Sequence, residues 1–155
     1  MPDLLVNLLK LPSQETLTDK RIVIRRAQPF EQSLVRDFIS NNFSLTWADE
    51  VSVAFSAKPV SLYIATIDRE IVGFAAYECT RRAFFGPTGV VDSARGLGIG
   101  KALLISALWG LRDMGYVYAI IGAAGPVRFY QQMVGAIVIP DSEPGIYTDI
   151  LKGDE

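Results

Sequence analysis

The stretch that most narrows the possible folds runs from residue 84 to residue 115. There an apolar run, "FFGPTGVV", leads through "DSARGLGIG" into a helical pattern from Ile99 to Met114. Leu104, Leu108 and Leu111 fall on one face, and Gly115 stands where a helix would stop. A strand, a turn carrying Gly96, Gly98 and Gly100, and a long helix therefore follow one another closely. Two phosphate-binding turns have this outline, and both fail on spacing. A P-loop needs a glycine and a hydroxyl where Arg95 and Ala102 stand, and a dinucleotide fingerprint needs a third glycine where Lys101 or Leu103 stands. What remains is Arg-x-x-Gly-x-Gly at Arg95, Gly98 and Gly100. Missing Cβ atoms let the backbone approach an anion, and unpaired N–H groups at a helix N-terminus point at it with the helix dipole behind them. The turn is expected to hold a diphosphate, the alternative being a ligand-free strand-to-helix corner.

The rest of the chain supplies one set of elements around that unit. "RIVIRRA", residues 21 to 27, alternates as a half-buried strand. Pro29 opens a helix through Leu34, Val35, Phe38 and Ile39, and Thr46 with Asp49 resembles a capping box for a second helix ending before Pro59. "VSLYIATIDREIVGFAAYECT" reads as two strands joined at Asp68-Arg69-Glu70, with "AFFGPTGVV" as a third in an antiparallel meander. After the long helix come "YVYAIIG", a strand buried on both sides, a short helix from Pro126 to Val134 stopped by Gly135, a strand "AIVI" and a last strand near "GIYTDIL". Ahead of all this, "MPDLLVNLLKLP" puts Leu4, Leu5, Leu8 and Leu9 on one face of a short amphipathic helix, packed on its own domain or serving as a docking helix for a partner or twin subunit. The expected organisation is an extension over residues 1–20 and one domain over 21–155.

Composition removes several functional classes. The chain of 155 residues is half apolar, enough for one core. With no histidine, it can build no Ser/His/Asp triad, no Cys/His dyad and no His-bearing zinc site, so no metal centre is expected. Cys79 is the lone cysteine, which excludes an internal disulfide and fits a reducing, cytoplasmic compartment. A net charge of −2 without a basic run argues against a nucleic-acid partner. The longest apolar run, "YVYAIIGAAG", is too short to span a bilayer, and the acidic start "MPDLL" lacks the basic n-region of a secretion signal, so no membrane association is expected.

The motif "RGLGIG", with the order of elements from about residue 21 to about 151, resembles the GNAT superfamily of N-acetyltransferases, whose acetyl-CoA site is built on Arg/Gln-x-x-Gly-x-Gly/Ala. "GPVRFYQQMVGA" is similar to that family's segment after the fifth strand, with Tyr130 and Gly135 matching its tyrosine and glycine. One position departs: where the family often has an asparagine near the pantetheine arm, this chain has Ala123. The resemblance implies a GNAT-like α/β (α+β) fold, a three-layer α/β/α sandwich whose mixed, mostly antiparallel sheet splays between strands 4 and 5. It further implies acetyl-CoA or coenzyme A as co-substrate, bound at Val90, Val91, Arg95, Gly96, Leu97, Gly98, Ile99, Gly100 and Lys101. The pantetheine amides would pair with the strand ending at Val90 and Val91, and a free N–H there would bond the thioester carbonyl.

The implied chemistry is direct acetyl transfer to a primary amine in a ternary complex, with a small-molecule or peptide acceptor and a homodimer as a possible assembly. The amine must lose a proton before attack. Glu78 is the first candidate base and Asp92 the second, with a relay through water as their rival. Tyr130 matches the acid that protonates the leaving thiolate, its alternative being a core aromatic. Arg95 and Lys101 would assist the phosphates or act as solvated charges, and Arg81 and Arg82 would reach a 3′-phosphate or form a charged loop. The competing function is a non-catalytic CoA-binding sensor or interaction module of the same fold, and a longer acyl chain or a hydroxyl acceptor is a third.

Overall fold

In the computed structural model, which describes residues 1–14 and 16–153, a single seven-stranded sheet organises the molecule. Its strands are β1 (Leu4–Asn7), β2 (Ile22–Arg26), β3 (Leu62–Ile67), β4 (Glu70–Tyr77), β5 (Phe84–Val90), β6 (Tyr118–Ile121) and β7 (Ile137–Val138). They lie in the order β2-β3-β4-β5-β6-β1-β7, antiparallel throughout except for the parallel pair β5 and β6. Four helices cover the faces: α1 (Gln32–Asn42), α2 (Leu45–Ser52), α3 (Ile99–Asp113) and α4 (Val127–Val134).

The alternation along β3 and β4 explains the three layers. Leu62, Ile64, Phe74 and Ala76 project into a core with Val35 and Ile39 of α1 and Ala48 and Val51 of α2. Ala65, Ala75 and Tyr77, one residue out of step, project into the opposite core with Leu103, Leu104, Leu108 and Leu111 of α3. Both faces are thus buried, and the mixed, mostly antiparallel sheet with its helix layers is the architecture expected from the sequence. The β3–β4 turn is tight because Asp68 and Arg69 both adopt positive φ, 51° and 68°, the conformation that continues the twist of a hairpin.

Four local expectations are corrected. Residues 4–7 form a strand, not a helix, and only Leu8–Lys10 make a 3-10 turn. Leu4, Val6 and Leu8 are fully buried in steps of two. A leucine pair four residues apart satisfies both a helix and a strand, so the period alone could not choose. Hydrogen-bonded partners on both sides, β6 and β7, make the choice. The same event removes the expected last strand: β1 holds the place beside β6, while Gly145–Tyr147 form a 3-10 turn and Leu151 is 92% exposed. The cap of α2 is Ser44, whose side chain accepts from the Trp47 N–H at 3.1 Å, and not Thr46. Finally, β6 buries Ala119 and Ile121 but leaves Tyr118 exposed, so it is covered on one face rather than two.

Candidate active site

The site begins where β5 ends. After the 3-10 turn Asp92–Ala94 the chain passes through Gly96 and Gly98, both at φ +82°, and Gly98 is the N-cap of α3. A side chain at either position would be strained by that backbone alone. Gly100 is different. A Cβ there would meet nothing of the protein nearer than Val90 Cγ2 at 3.9 Å, an ordinary contact, so internal packing does not require a glycine. The first turn of α3 carries no acid, and Lys101 and Arg95 line the groove beside it. Arg95 also pairs with Asp92 at 3.2 Å, an exposed contact of little energetic weight.

Beside this corner the sheet opens. β5 and β6 pair only at Phe84↔Ile120 and Phe85↔Ile121. Gly86 then takes φ 112° and Pro87 has no N–H to offer, so the parallel ladder stops. On its other edge β5 continues to pair with β4, Thr88 opposite Ala75, Gly89 opposite Phe74 and Val90 opposite Gly73. The Val91 N–H donates to the Val72 carbonyl at 2.9 Å. Main-chain groups alternate along a strand, so those of Thr88 and Val90 face away from β4, into the gap that β6 has left. This corrects one expectation: Val91 has its N–H committed, and the free donor belongs to Val90. Gly89 is required by the layer behind, where a Cβ would lie 2.5 Å from the Phe43 ring.

A groove of about 670 Å³ follows the gap from the turn to α4. Val90, Arg95, Gly96, Gly98, Ile99, Gly100 and Lys101 line it as the sequence suggested, whereas Val91 and Leu97 do not. Its far wall is Phe129, Met133 and Tyr130 of α4, a contribution of which only Tyr130 was legible beforehand. Tyr130 is 6% exposed, wedged edge-on against Phe85 and Phe129 at ring separations of 6.2 and 5.3 Å. Among the described residues no hydrogen bond engages its hydroxyl, and burial pushes the phenol above its ordinary value. It is a held, protonated donor facing a cavity.

Tyr130, Pro126 and Thr88 also border a smaller space of about 250 Å³ that crosses the splay. Through Trp47, Phe85, Gly86, Pro87 and Gly122 that space joins a third cavity, about 720 Å³, on the α2 side of the sheet. The third cavity holds Glu50 of α2, whose carboxylate accepts the Thr80 hydroxyl, together with Phe84 and Tyr147. The sequence pointed to none of these residues, because they come from segments far apart along the chain and form no local motif.

Glu78 does not reach these cavities. One of its oxygens accepts the Ala83 N–H at 2.7 Å and the other accepts the Tyr116 hydroxyl at 2.7 Å, a bond that holds the Tyr116 phenol above its ordinary value. With positive φ at Glu78 and Ala83, the residue serves as a staple of the β4–β5 loop, and its assignment as the base is corrected. Asp92 is 91% exposed on the outside of the turn. Arg81 and Arg82 lie before β5, at the end remote from the glycine turn; seven residues of strand, roughly 20 Å, separate the two. Ala123, at φ 44°, donates its N–H to Asp3 Oδ1 at 2.8 Å, so the N-terminal segment fixes the loop that departs from β6. Among the described residues no group of three or more His, Cys, Asp or Glu side chains is placed to hold a metal, and no helix is long and apolar enough to cross a membrane.

Neither a family sequence profile nor a curated protein sequence matches the chain. Solved structures do. A GCN5-related N-acetyltransferase from Sphaerobacter thermophilus superposes with a TM-score of 0.69 at 19% identity, over 89% of this chain and 48% of that one. The GCN5-related glucosamine N-acetyltransferase region of a fungal multi-domain β-N-acetylglucosaminidase gives 0.68 at 18% identity, over 89% of this chain and 19% of that one. A GNAT family acetyltransferase from Brucella melitensis, solved in complex with acetyl-CoA, gives 0.58 at 18%, over 86% and 93%. The chain spans less than half the length of the first two. The fold is that of the GCN5-related N-acetyltransferases, splayed between the fourth and fifth strands of that core, which are β5 and β6 here.

Proposed function

We propose that the protein is an acetyl-CoA-dependent N-acetyltransferase that joins the acetyl group directly to a primary amine. The observation that carries this reading is the continuity of the crevice. An amide-lined corner at α3, a strand with unpaired main-chain groups, a buried phenol and a separate cavity on the far side of the sheet lie along one path. The fit to a coenzyme diphosphate rests on Gly100: the protein leaves room for a side chain there and carries none.

The thioester supplies an acyl carbon whose C–S bond breaks as the C–N bond to the amine forms. The chain supplies the rest. Thr88 and Val90 offer main-chain groups to an extended amide arm as a neighbouring strand would, and the Val90 N–H is the donor available to a developing oxyanion. Tyr130 holds a proton at the junction of groove and splay, where a departing thiolate collects it. Its raised pKa keeps that proton in place across neutral pH. Glu50, and not Glu78, is the carboxylate on the acceptor side that receives the proton given up by the amine.

Calorimetry with acetyl-CoA and assay of CoA release over a panel of primary amines test this reading. Binding in the micromolar range with amine-dependent release is expected. Binding without release for any amine would favour a sensor of the same fold, and the absence of binding would end both.

A further inference from the structure

The cavity on the α2 side has a chemical character that the reaction class alone does not dictate. Phe84, Trp47 and Tyr147 form much of its wall, and its charged groups are the carboxylates of Glu50 and Glu143 and the amino group of Met1. Among the described residues no lysine or arginine lines it. The two carboxylates are not equivalent. Glu143 pairs with the Met1 amino group, whereas Glu50 accepts only the neutral Thr80 hydroxyl and has no cationic partner among the described residues. A carboxylate set in an aromatic wall and lacking a counter-ion recognises a cation: it offers charge-assisted hydrogen bonds to an ammonium, and the ring faces add their own attraction. A ligand carboxylate would meet the like charge of Glu50, while the cation in the lining, the Met1 amino group, is already paired with Glu143.

From this lining we infer that the acceptor is a cationic primary amine on an apolar, aromatic-sized body that carries no carboxylate, an arylalkylamine rather than an amino acid, with Glu50 as the residue that selects it. The inference rests on the acetyltransferase reading for the identity of the cavity as the acceptor's, but the selection itself is a property of the cavity. Tyr147 reinforces it. Burial first, then the charges of Glu50 and Asp3, hold its phenol above the ordinary value, so the wall adds a neutral ring and a hydroxyl but no cation. The cavity volume, about 720 Å³, suits a body of that size with room to spare.

Phenethylamine and phenylalanine differ only by the α-carboxylate and make the direct comparison. Each is titrated calorimetrically into the protein, with and without saturating CoA, and each is assayed as an acceptor with acetyl-CoA. Phenethylamine is expected to bind and to exceed phenylalanine in kcat/KM by about 100-fold or more. In Glu50→Gln, phenethylamine should bind about tenfold or more weakly while the Kd for acetyl-CoA is unchanged, which also shows that the variant is folded. Equal or better use of phenylalanine, binding of neither compound, or an unaltered phenethylamine affinity in Glu50→Gln would each overturn the inference. If phenethylamine binds selectively, with sensitivity to Glu50, yet no acetyl transfer occurs, the selection stands and the acetyltransferase reading fails. Transfer to other amines with no preference between the matched pair would do the opposite, overturning the selection while the acetyltransferase reading holds.

Discussion

The two ends of the crevice are built in opposite ways. The groove at α3 is mainly a backbone site: its defining groups are the main chain of Thr88 and Val90 and the amides after Gly98, and most of its lining is drawn from residues 88–104, with α4 supplying the far wall. The cavity beneath α2 is a side-chain site, assembled from Trp47, Glu50, Thr80, Phe84 and Tyr147, which meet only because α2, the β4–β5 loop, the start of β5 and the 3-10 turn at Gly145–Tyr147 converge. A site made of amides and missing Cβ atoms tolerates little change, since what it recognises is repetitive and charged. A site made of side chains can be altered one residue at a time without disturbing the first. The difference predicts that coenzyme binding and acceptor choice separate under mutation.

The sharpest break in that separation is expected at Tyr130, which touches both spaces. Tyr130→Phe should lower kcat by about 100-fold or more while changing the Kd for acetyl-CoA little, because a positioned general acid contributes at least that factor. Since no hydrogen bond among the described residues engages the hydroxyl, stability measured by denaturant titration should shift by less than about 0.5 kcal/mol. A wild-type kcat would remove Tyr130 from the chemistry.

Two glycines sharpen the contrast further. Gly89→Ala forces a methyl against the Phe43 ring at 2.5 Å and should destabilise the protein by about 1–3 kcal/mol in urea titration. Gly100→Ala meets only Val90 Cγ2 at 3.9 Å and, lying in the first turn of α3, should leave stability unchanged or raise it by about 0.5 kcal/mol. Its acetyl-CoA affinity should nevertheless fall about tenfold. Should Gly100→Ala bind acetyl-CoA normally, the missing Cβ has no ligand-related reason.

A pH-dependent effect concerns Cys79, packed against the core on the α2 side, where burial pushes the thiol up to about 11 from 9.0. The unfolded chain releases this proton at a lower pH than the folded one. Between those two values the folded state therefore binds more protons, and stability declines as pH rises. Below 9 both states hold the proton and the effect vanishes. Cys79→Ala should lack this component, so that the stability difference between variant and wild type drifts by on the order of 2 kcal/mol between pH 8 and 11. An identical pH dependence in both proteins would show that the thiol is better hydrated than its surroundings suggest.

Much of the fold was legible from local pattern. The meander, the long helix between Gly98 and Gly115, and α4 stopped by Gly135 all follow from periodicity and from glycines at positive φ. The glycine corner of the proposed coenzyme groove was legible for the same reason: Arg95 to Lys101 are contiguous along the chain, and their spacing is the signal. Legibility failed where a residue's role depends on what lies opposite. Leu4 and Leu8 suit a helix or a strand equally. The Val91 N–H looked free until β4 was in place, and Glu78 looked central until Ala83 and Tyr116 claimed its oxygens.

The amino-acid sequence by itself determined the order of elements from β2 to β7, the glycine corner at the mouth of α3 and the tyrosine on α4, because each is specified by intervals of a few residues and by backbone conformations open to few side chains. The tertiary structure alone decided that the N-terminal strand completes the sheet, that β6 leaves β5 at Gly86 and Pro87, and that Glu78 is tied to Ala83 and Tyr116 while Glu50 lines the cavity beneath α2. Hydrogen-bond partners and cavities between distant segments come into being only when the strands pair, and no interval along the chain encodes which donors and carboxylates that pairing leaves free.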